Sequence, residues 1–412
     1  MIVVGKKLRL FLGEYITAMV AYWICTGFII AKLTDYFQLP LGLSNILTSL
    51  SSMFLVLQPL GGIFYSKIQR KRGYLLSMNL IWRICLCFVF FSVFLAPSIG
   101  TLVFCVCLLS MQFFQQIISP AYEDWHVQAA EAAHYSKFYS VREVVFMILY
   151  TVMAAVVQIA ISISEKQGQL RNGFITAGVL ETLLLVISVV LIMKLSAPIS
   201  CTQSSGSLRV FAQVLRNRVH TGIIIANASW GIANVFIGGL FGIYAVRILK
   251  IDFIQLMIWG MAGNLLRTLF GPVFAKIAAR IGWKKCVSNI FILYALLAVL
   301  LYFTTPENAF WTAPIYLSFS TLPVSGLNIG ILKMRISSST EDLRSVYFSL
   351  FSLFSGGASM LGTFFCSFLI SLIEAGFVPL SLHSLFLLGL VLLVIPFTLF
   401  RMLPIDIAED AN

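Results

Sequence analysis

The sequence predicts an all-α integral membrane protein, with about twelve transmembrane helices in two pseudo-symmetric six-helix bundles. Three observations support this fold class. The 412-residue chain is 59% hydrophobic and only 11% charged, whereas soluble domains carry about 25% charged residues. Its long apolar runs suit helices of about 20 residues, the length that crosses a bilayer. A basic hairpin also occurs once in each half of the chain, which indicates an internal repeat.

The repeated hairpin lies at Pro59–Arg72 and again at Pro272–Lys285. An offset of 213 residues, from Pro59 to Pro272, aligns Lys67 with Arg280 and the basic pair at 71–72 with the one at 284–285. Weaker matches at similar offsets pair the Ala-x-Trp at 21–23 with that at 228–230, and residues 136–140 with 345–349. Their shared order along the chain supports a duplicated membrane domain.

The apolar runs place the twelve spans in order along the chain. They fall at 11–32, 44–65, 75–96, 99–119, 141–163, 173–194, 221–246, 254–275, 287–304, 310–332, 346–372 and 381–402. The N-terminal run begins like a signal peptide but has no small-residue cleavage site, so we expect it to remain as the first span. A hydrophilic stretch rich in serine separates the sixth and seventh spans. We therefore predict an N-terminal bundle at 1–195, a cytoplasmic linker at 196–219 and a C-terminal bundle at 220–412.

The basic residues orient these spans. Of the 28 lysines and arginines, only Lys32, Lys166, Arg171, Arg247 and Lys250 fall on the same side as the first loop, and two more, Arg83 and Arg267, fall within spans. All others lie at the termini or in the alternate loops. Because cytoplasmic loops are enriched in basic residues, both termini are predicted to be cytoplasmic.

Other classes of function find little support. The net charge of +12 would suit nucleic acid, but the cations are confined to short loops between apolar runs, so no nucleic-acid partner is expected. The eight cysteines lie almost entirely within apolar runs, with no metal-ligand spacing, and are expected to be reduced packing residues. No nucleophile–base set or phosphate-binding loop is visible. We therefore expect neither an enzyme nor a bound cofactor.

The basic hairpins resemble the loop signature of the major facilitator superfamily of secondary transporters, Gly-x-x-x-Asp-x-x-Gly-Arg-Lys. The first copy keeps Gly62, Arg70 and Lys71, and the second keeps Gly282 and Lys284. Both copies lack the acid. In the superfamily this acid holds a neighbouring helix in one access state, so the resemblance does not imply that contact here. The resemblance implies two bundles that alternate access to a central site, a small-molecule substrate and a multi-pass location in a bacterial inner membrane. We expect the protein to act as a monomer.

In that family, spans one, four, seven and ten line the central cavity, and polar residues occur at helical spacing in these same spans here. Because polar groups are costly in hydrocarbon, they usually face the protein interior or a wet cavity. Interhelical hydrogen bonding without a substrate is the alternative. The candidate cavity residues are Tyr22, Trp23, Thr26, Gln112, Gln115, Asn227, Trp230, Asn234, Ser318, Thr321 and Asn328.

Four charged residues inside predicted spans are candidates for a functional or structural role. Asn264 and Arg267 are one turn apart near the middle of the eighth span, so Arg267 is a candidate to bind a carboxylate or phosphate, or else braces two helices. Arg83 and Glu181 lie at comparable depth in two outer helices, which predicts a structural ion pair between them. Glu14, in the first span, is a candidate proton-coupling residue, or else an interfacial acid paired with a loop cation.

A cytoplasmic charge network is predicted around the inner ends of the spans. Pro120, Trp125, Tyr139 and Arg142 resemble a pattern found in some bacterial members of the superfamily. The predicted gate residues are Lys67, Arg70, Lys71, Glu123, Asp124, Arg142, Glu143, Arg280 and Lys284.

The preferred function is a secondary transporter for a small polar organic solute, neutral or anionic, with a coupling proton or cation as an option. A transport-inactive membrane sensor or scaffold is one alternative, and a drug or metabolite exporter is another. The fifth span lacks the Gly-Pro motif of drug–proton antiporters, which weighs against a standard multidrug exporter.

Overall fold

The computed structural model describes residues 6–130, 135–196, 208–339 and 344–404. Within these ranges the regular secondary structure is entirely helical, as the sequence predicted. Residues 197–207 of the predicted linker lie outside the described ranges.

The first half of the chain forms eight α-helices. They are α1 (Lys6–Ile24), α2 (Phe28–Tyr36), α3 (Leu41–Met53), α4 (Gln58–Lys67), α5 (Lys71–Phe91), α6 (Pro97–Ala130), α7 (Tyr135–Lys166) and α8 (Leu170–Lys194). A 3₁₀ turn at Phe54–Leu57 joins α3 to α4.

The second half forms ten further α-helices. They are α9 (Leu208–Leu215), α10 (Arg218–Asn234), α11 (Leu240–Ile243), α12 (Phe253–Ile281), α13 (Trp283–Tyr302), α14 (Ala309–Ser320), α15 (Leu322–Ser338), α16 (Arg344–Glu374), α17 (Ser384–Leu392) and α18 (Val394–Met402). Two π-helical segments, Val235–Gly239 and Tyr244–Ile248, flank α11. Such segments are rare and often occur at functional sites.

Ten helical runs in the described residues are long and apolar enough to cross a membrane, and the bent pair α1–α2 raises the count to 11. The bend of 47° falls at Gly27, whose φ of +54° is one that side-chain-bearing residues rarely adopt. The predicted eighth span corresponds to α12, which has 29 residues but is not among the ten. The prediction of about twelve spans thus agrees closely with the helices observed.

The helices pack into two compact units. Unit 1 comprises Met1–Leu33 and Leu57–Ser205, and unit 2 comprises Thr34–Val56 and Gly206–Asn412. In unit 1, α5 packs on α6, and α8 packs on α1 and α7. In unit 2, α16 packs on α3 and α10, and α13 packs on α15 and α17.

Glycines permit the closest helix approaches within each unit. In unit 1, a Cβ on Gly61 would lie 1.9 Å from the carbonyl oxygen of Ile117. In unit 2, a Cβ on Gly356 would lie 2.3 Å from the backbone nitrogen of Val56. Small residues at such contacts let helix backbones pack directly against each other in membrane proteins.

The segment Thr34–Val56 packs with unit 2, although the repeat assigns it to the N-terminal bundle. Arg247 holds this segment through an ion pair with Asp35, whose Oδ1 lies 3.1 Å from Nε. Arg247 also donates hydrogen bonds to the Leu39 carbonyl and the Ser44 hydroxyl. Unit boundaries set by packing therefore differ in this segment from bundle boundaries set by the repeat.

Candidate functional site

The first group of predicted site residues lies in unit 1, where α1, α4 and α6 bring tyrosine and glutamine side chains together. The Tyr22 hydroxyl donates a hydrogen bond of 2.7 Å to Oε1 of Gln112, and Gln58 donates one of 2.9 Å to Gln116. Gln115 is buried nearby on α6, and its Oε1 has no hydrogen-bond partner in the described part of the chain. These contacts join three helices through amide and hydroxyl groups.

Trp23 and Thr26 lie at the bend between α1 and α2. The Trp23 side chain is 48% exposed, and the Thr26 hydroxyl donates to the Trp23 carbonyl at 2.6 Å. The turn at Gly27 interrupts the helix here, and interrupted spans are common at the substrate sites of transporters. The bend thus leaves an aromatic surface beside a broken helix.

In unit 2, the predicted residues of α10 make two kinds of contact. Asn227 donates a hydrogen bond of 2.7 Å to the Ser355 hydroxyl of α16, which is the interhelical bond that the sequence left open as an alternative. The Trp230 ring lies 4.3 Å from the Tyr294 ring, between centroids. Asn234 is partly exposed at the last residue of α10, where the first π-helical segment begins.

Arg267 lies on α12 with its side chain partly exposed. Among the described residues, no hydrogen bond or ion pair reaches its guanidinium, and Tyr294 lies within electrostatic range. Asn264, one turn earlier on the same helix, is also partly exposed. An intramembrane cation usually has a partner. The guanidinium of Arg267 and the amide of Asn264 form a pair of donors suited to an anionic or hydroxylated group.

The predicted residues of the tenth span lie on α14 (Ser318), between α14 and α15 (Thr321) and on α15 (Asn328). Ser318 is buried, Thr321 is partly exposed and Asn328 is exposed. The Thr321 hydroxyl has no hydrogen-bond partner in the described ranges. It lies where α12 passes closely, since a Cβ on Gly263 would be 2.9 Å from that oxygen.

Glu14 is fully buried in unit 1 and is surrounded by polar groups. Arg83 of α5 and the Tyr122 hydroxyl of α6 each donate a short hydrogen bond to its carboxylate. Ser188 of α8 donates to the same carboxylate at 3.4 Å, and Nε2 of His126 lies 3.6 Å from it. The cationic partner of Glu14 is Arg83, which lies within α5, and not a cation of a loop.

The predicted Arg83–Glu181 ion pair is wrong, because Arg83 pairs with Glu14 instead. Glu181 is fully buried, and neither carboxyl oxygen has a hydrogen-bond partner among the described residues. Similar depth suggested the pairing, but depth does not fix the direction in which a side chain points around its helix.

Sequence reasoning missed the roles of Tyr122, His126 and Ser188. The fourth span was predicted to end at residue 119, yet α6 continues through Pro120 to Ala130. Tyr122 and His126 are therefore one turn apart on a continuous helix. This i, i+4 spacing of two polar aromatic residues is a signal that could have indicated them.

Some of the residues predicted to form the cytoplasmic gate make specific contacts, and others are exposed. Arg142 is buried and pairs with Glu123 at 3.0 Å, and its guanidinium lies 3.9 Å from the Tyr15 ring. Lys71 lies 5.1 Å from the Tyr65 ring, and Lys284 donates to the Leu403 carbonyl at 2.9 Å. Lys67, Arg70 and Arg280 are exposed. The side chains of Asp124 and Glu143 lie outside the described part of the structure.

Comparison with known proteins decides the family. The profile of the Major Facilitator Superfamily matches residues 10–363. The chain belongs to this superfamily. It is therefore a multi-pass membrane protein and a secondary transporter, not an enzyme. The resemblance of the two basic hairpins to the superfamily signature pointed to the same family.

Solved superfamily transporters share the fold along almost the whole chain. A mutant of the nucleoside transporter NupG has a TM-score of 0.70 at 14% identity, covering 97% of this chain and 99% of that chain. A POT family transporter in complex with 5-aminolevulinic acid has a TM-score of 0.69 at 14% identity, covering 96% of each chain. A mutant of the fucose:proton symporter FucP of E. coli has a TM-score of 0.57 at 12% identity, covering 96% and 97%. No curated protein sequence matches the chain.

Proposed function

We propose that this superfamily transporter moves a small polar organic solute, neutral or anionic, across the bacterial cytoplasmic membrane by alternating access. Each unit offers its own candidate contacts for the solute: the polar and aromatic residues of α1 and α6 in unit 1, and separately those of α10, α12, α14 and α15 in unit 2. We expect a monomer whose N- and C-termini are both cytoplasmic. Glu14 is the candidate coupling group, and the Arg142–Glu123 pair is the candidate gate at the cytoplasmic end.

The partly exposed guanidinium of Arg267 carries this proposal. It lies within α12 and has no hydrogen-bond or ion-pair partner among the described residues. Leaving a cation unpaired at membrane depth is unfavourable unless water or a ligand group solvates it. A carboxylate or phosphate on the solute would supply that group, and Asn264 would add an amide one turn away.

The structural relatives suggest a first set of probes. They include a nucleoside transporter, a fucose:proton symporter and a transporter bound to 5-aminolevulinic acid. Uridine, fucose and 5-aminolevulinate are therefore suitable representatives of neutral planar, neutral hydroxylated and carboxylate-bearing solutes. Binding to the folded state raises the melting temperature, so a thermal-shift screen ranks these probes before any flux is measured.

Uptake into proteoliposomes then tests the function. We expect at least one probe to accumulate in a counterflow assay, and Arg267→Ala to reduce uptake of a carboxylate-bearing solute at least tenfold without lowering the melting temperature. Lys166→Ala, which removes a cation at the end of α7, serves as the control and should leave uptake unchanged. Binding without flux would favour the sensor alternative, and wild-type uptake by Arg267→Ala would remove Arg267 from the site.

A further inference from the structure

Glu181 is a carboxyl group without a visible counter-charge. It lies on α8 with no exposed surface, and neither oxygen accepts a hydrogen bond from any described residue. An ionised carboxylate in such a place would lose its hydration with nothing to replace it. A neutral carboxylic acid avoids that loss. In this arrangement Glu181 therefore holds a proton.

The guanidinium of Arg83 has hydrogen-bond donors that the pairing with Glu14 does not use. Its side chain is 1% exposed, and only Nη2 reaches the Glu14 carboxylate. Nε and Nη1 are buried and have no hydrogen-bond partner among the described residues. A guanidinium carries five N–H donors in a fixed fork. The pairing with Glu14 thus leaves most of its hydrogen-bonding capacity unused.

The two acids lie on either side of this arginine along the helix axes. On α8, Ser188 contacts Glu14, and Glu181 lies seven residues, or about 10 Å, away on the same face. On α5, Cys87 is one turn beyond Arg83 and accepts a hydrogen bond of 3.5 Å from Thr182. The thiol of Cys87 is also within electrostatic range of Glu181. The backbone position of Arg83 is therefore between the levels of the two carboxyl groups.

We propose that Glu181 is a second proton-binding site, and that Arg83 exchanges between Glu14 and Glu181 as one proton is taken up and another is released. In the observed arrangement Glu14 is an anion paired with Arg83, and Glu181 carries the proton. In the alternative arrangement Glu14 has taken up a proton and Glu181, having released its own, is the anion paired with Arg83. Each arrangement buries one cation, one anion and one neutral acid.

The groups around each acid suit this exchange. Tyr122 and Ser188 donate to ionised Glu14 but can also accept a hydrogen bond from the protonated acid, because a hydroxyl does both. His126, which packs against the Tyr122 ring at 4.5 Å, is the other titratable group beside Glu14. Around Glu181, the titratable neighbours are the thiols of Cys25, which directly follows α1, and of Cys87 on α5.

The inference extends the proposed function, in which Glu14 is the coupling candidate, but it depends only on the packing of unit 1. Infrared spectroscopy of the reconstituted protein tests it without any solute, because a buried protonated carboxyl has a C=O stretch above the amide bands. A wrong choice of solute would leave the spectrum unaffected. The two proposals can therefore fail separately.

At neutral pH we expect one buried carboxylic-acid band in the wild type. Glu181→Gln should remove it and keep a melting temperature near that of the wild type, because a neutral amide replaces a neutral acid. Glu165→Gln, which changes a glutamate of the same unit whose side chain is 42% exposed, is the matched control and should leave the band in place. A band that survives Glu181→Gln would overturn the proposal.

The exchange itself is tested at Glu14. In Glu14→Gln we expect the Glu181 band to disappear, because Arg83 then takes Glu181 as its counter-ion and stabilises the carboxylate. Removing the arginine as well, in the double variant Glu14→Gln with Arg83→Met, should restore the band. A Glu181 band of full intensity in Glu14→Gln would show that Arg83 does not move to Glu181.

If Glu14→Gln does not fold, acidification of the wild type tests whether only one of the two acids is protonated at a time, as the exchange requires. The background is the triple variant Glu14→Gln, Arg83→Met and Glu181→Gln. After its subtraction we expect the band to keep its intensity on acidification, since the two arrangements bind the same number of protons and Arg83 keeps one carboxylate ionised. A band that doubles on acidification would mean that both acids are protonated together, which contradicts the exchange.

Discussion

Two arginines lie within helices of the two units, and their surroundings are opposite. Arg83 in unit 1 is buried against a fully buried carboxylate, whereas Arg267 in unit 2 is partly exposed and has no acidic partner among the described residues. The same side chain thus occupies two different environments. A paired, buried cation keeps its charge inside the protein, and an unpaired, accessible one is available to a solute.

The largest expected effect is at Arg83. Arg83→Met leaves Glu14 as an uncompensated buried acid, so we expect the free energy of unfolding to fall by about 3–5 kcal/mol. Glu14→Gln should destabilise less, because Glu181 can then accept the guanidinium. Thermal and denaturant unfolding in detergent would measure both. If the double variant Glu14→Gln with Arg83→Met is as unstable as Arg83→Met alone, the buried pair is not the cause.

A smaller effect is expected at glycine contacts present in both units. Gly61→Ala and Gly356→Ala each place a methyl group against the backbone of a neighbouring helix, so each should lower stability by about 1–3 kcal/mol. The matched controls are the adjacent glycines, Gly62 and Gly357, because a Cβ there meets nothing within 4 Å. Equal melting temperatures for all four variants would contradict the packing described for both units.

The smallest effect on stability is expected at Arg267. Arg267→Met removes no hydrogen bond or ion pair made by described residues, so we expect the free energy of unfolding to change by less than about 0.5 kcal/mol. Unfolding curves collected beside those of Arg83→Met would make the comparison direct. A loss of several kcal/mol would show that Arg267 braces the helices of unit 2, which was the alternative reading of its sequence position.

The sequence predicted the class of fold and most of the helices because hydropathy and loop charge act locally along the chain. It did not predict the bend at Gly27 or the continuation of α6 beyond Pro120. Both features depend on packing that hydropathy does not report. The proline signalled an end to the helix, yet it lies inside α6.

The candidate site was less predictable than the fold. Polar residues in the expected spans were identified, but their partners depend on how each helix is rotated, which hydropathy does not report. Asn227, for example, is bonded to Ser355, whereas Asn328 is exposed. For Glu14 the sequence left a proton-coupling residue and an interfacial acid as alternatives, and only the packing of α1, α5, α6 and α8 shows that its side chain is fully buried.

The packing of Thr34–Val56 with unit 2 bears on any attempt to divide the protein for expression. A fragment that starts after the serine-rich stretch would lack the helix that α16 packs against, and the backbone beside Gly356 would lose its neighbour at Val56. Such a fragment would present a bare apolar strip and should aggregate. A peptide corresponding to residues 34–56, added separately, should cover that surface and keep the fragment soluble in detergent.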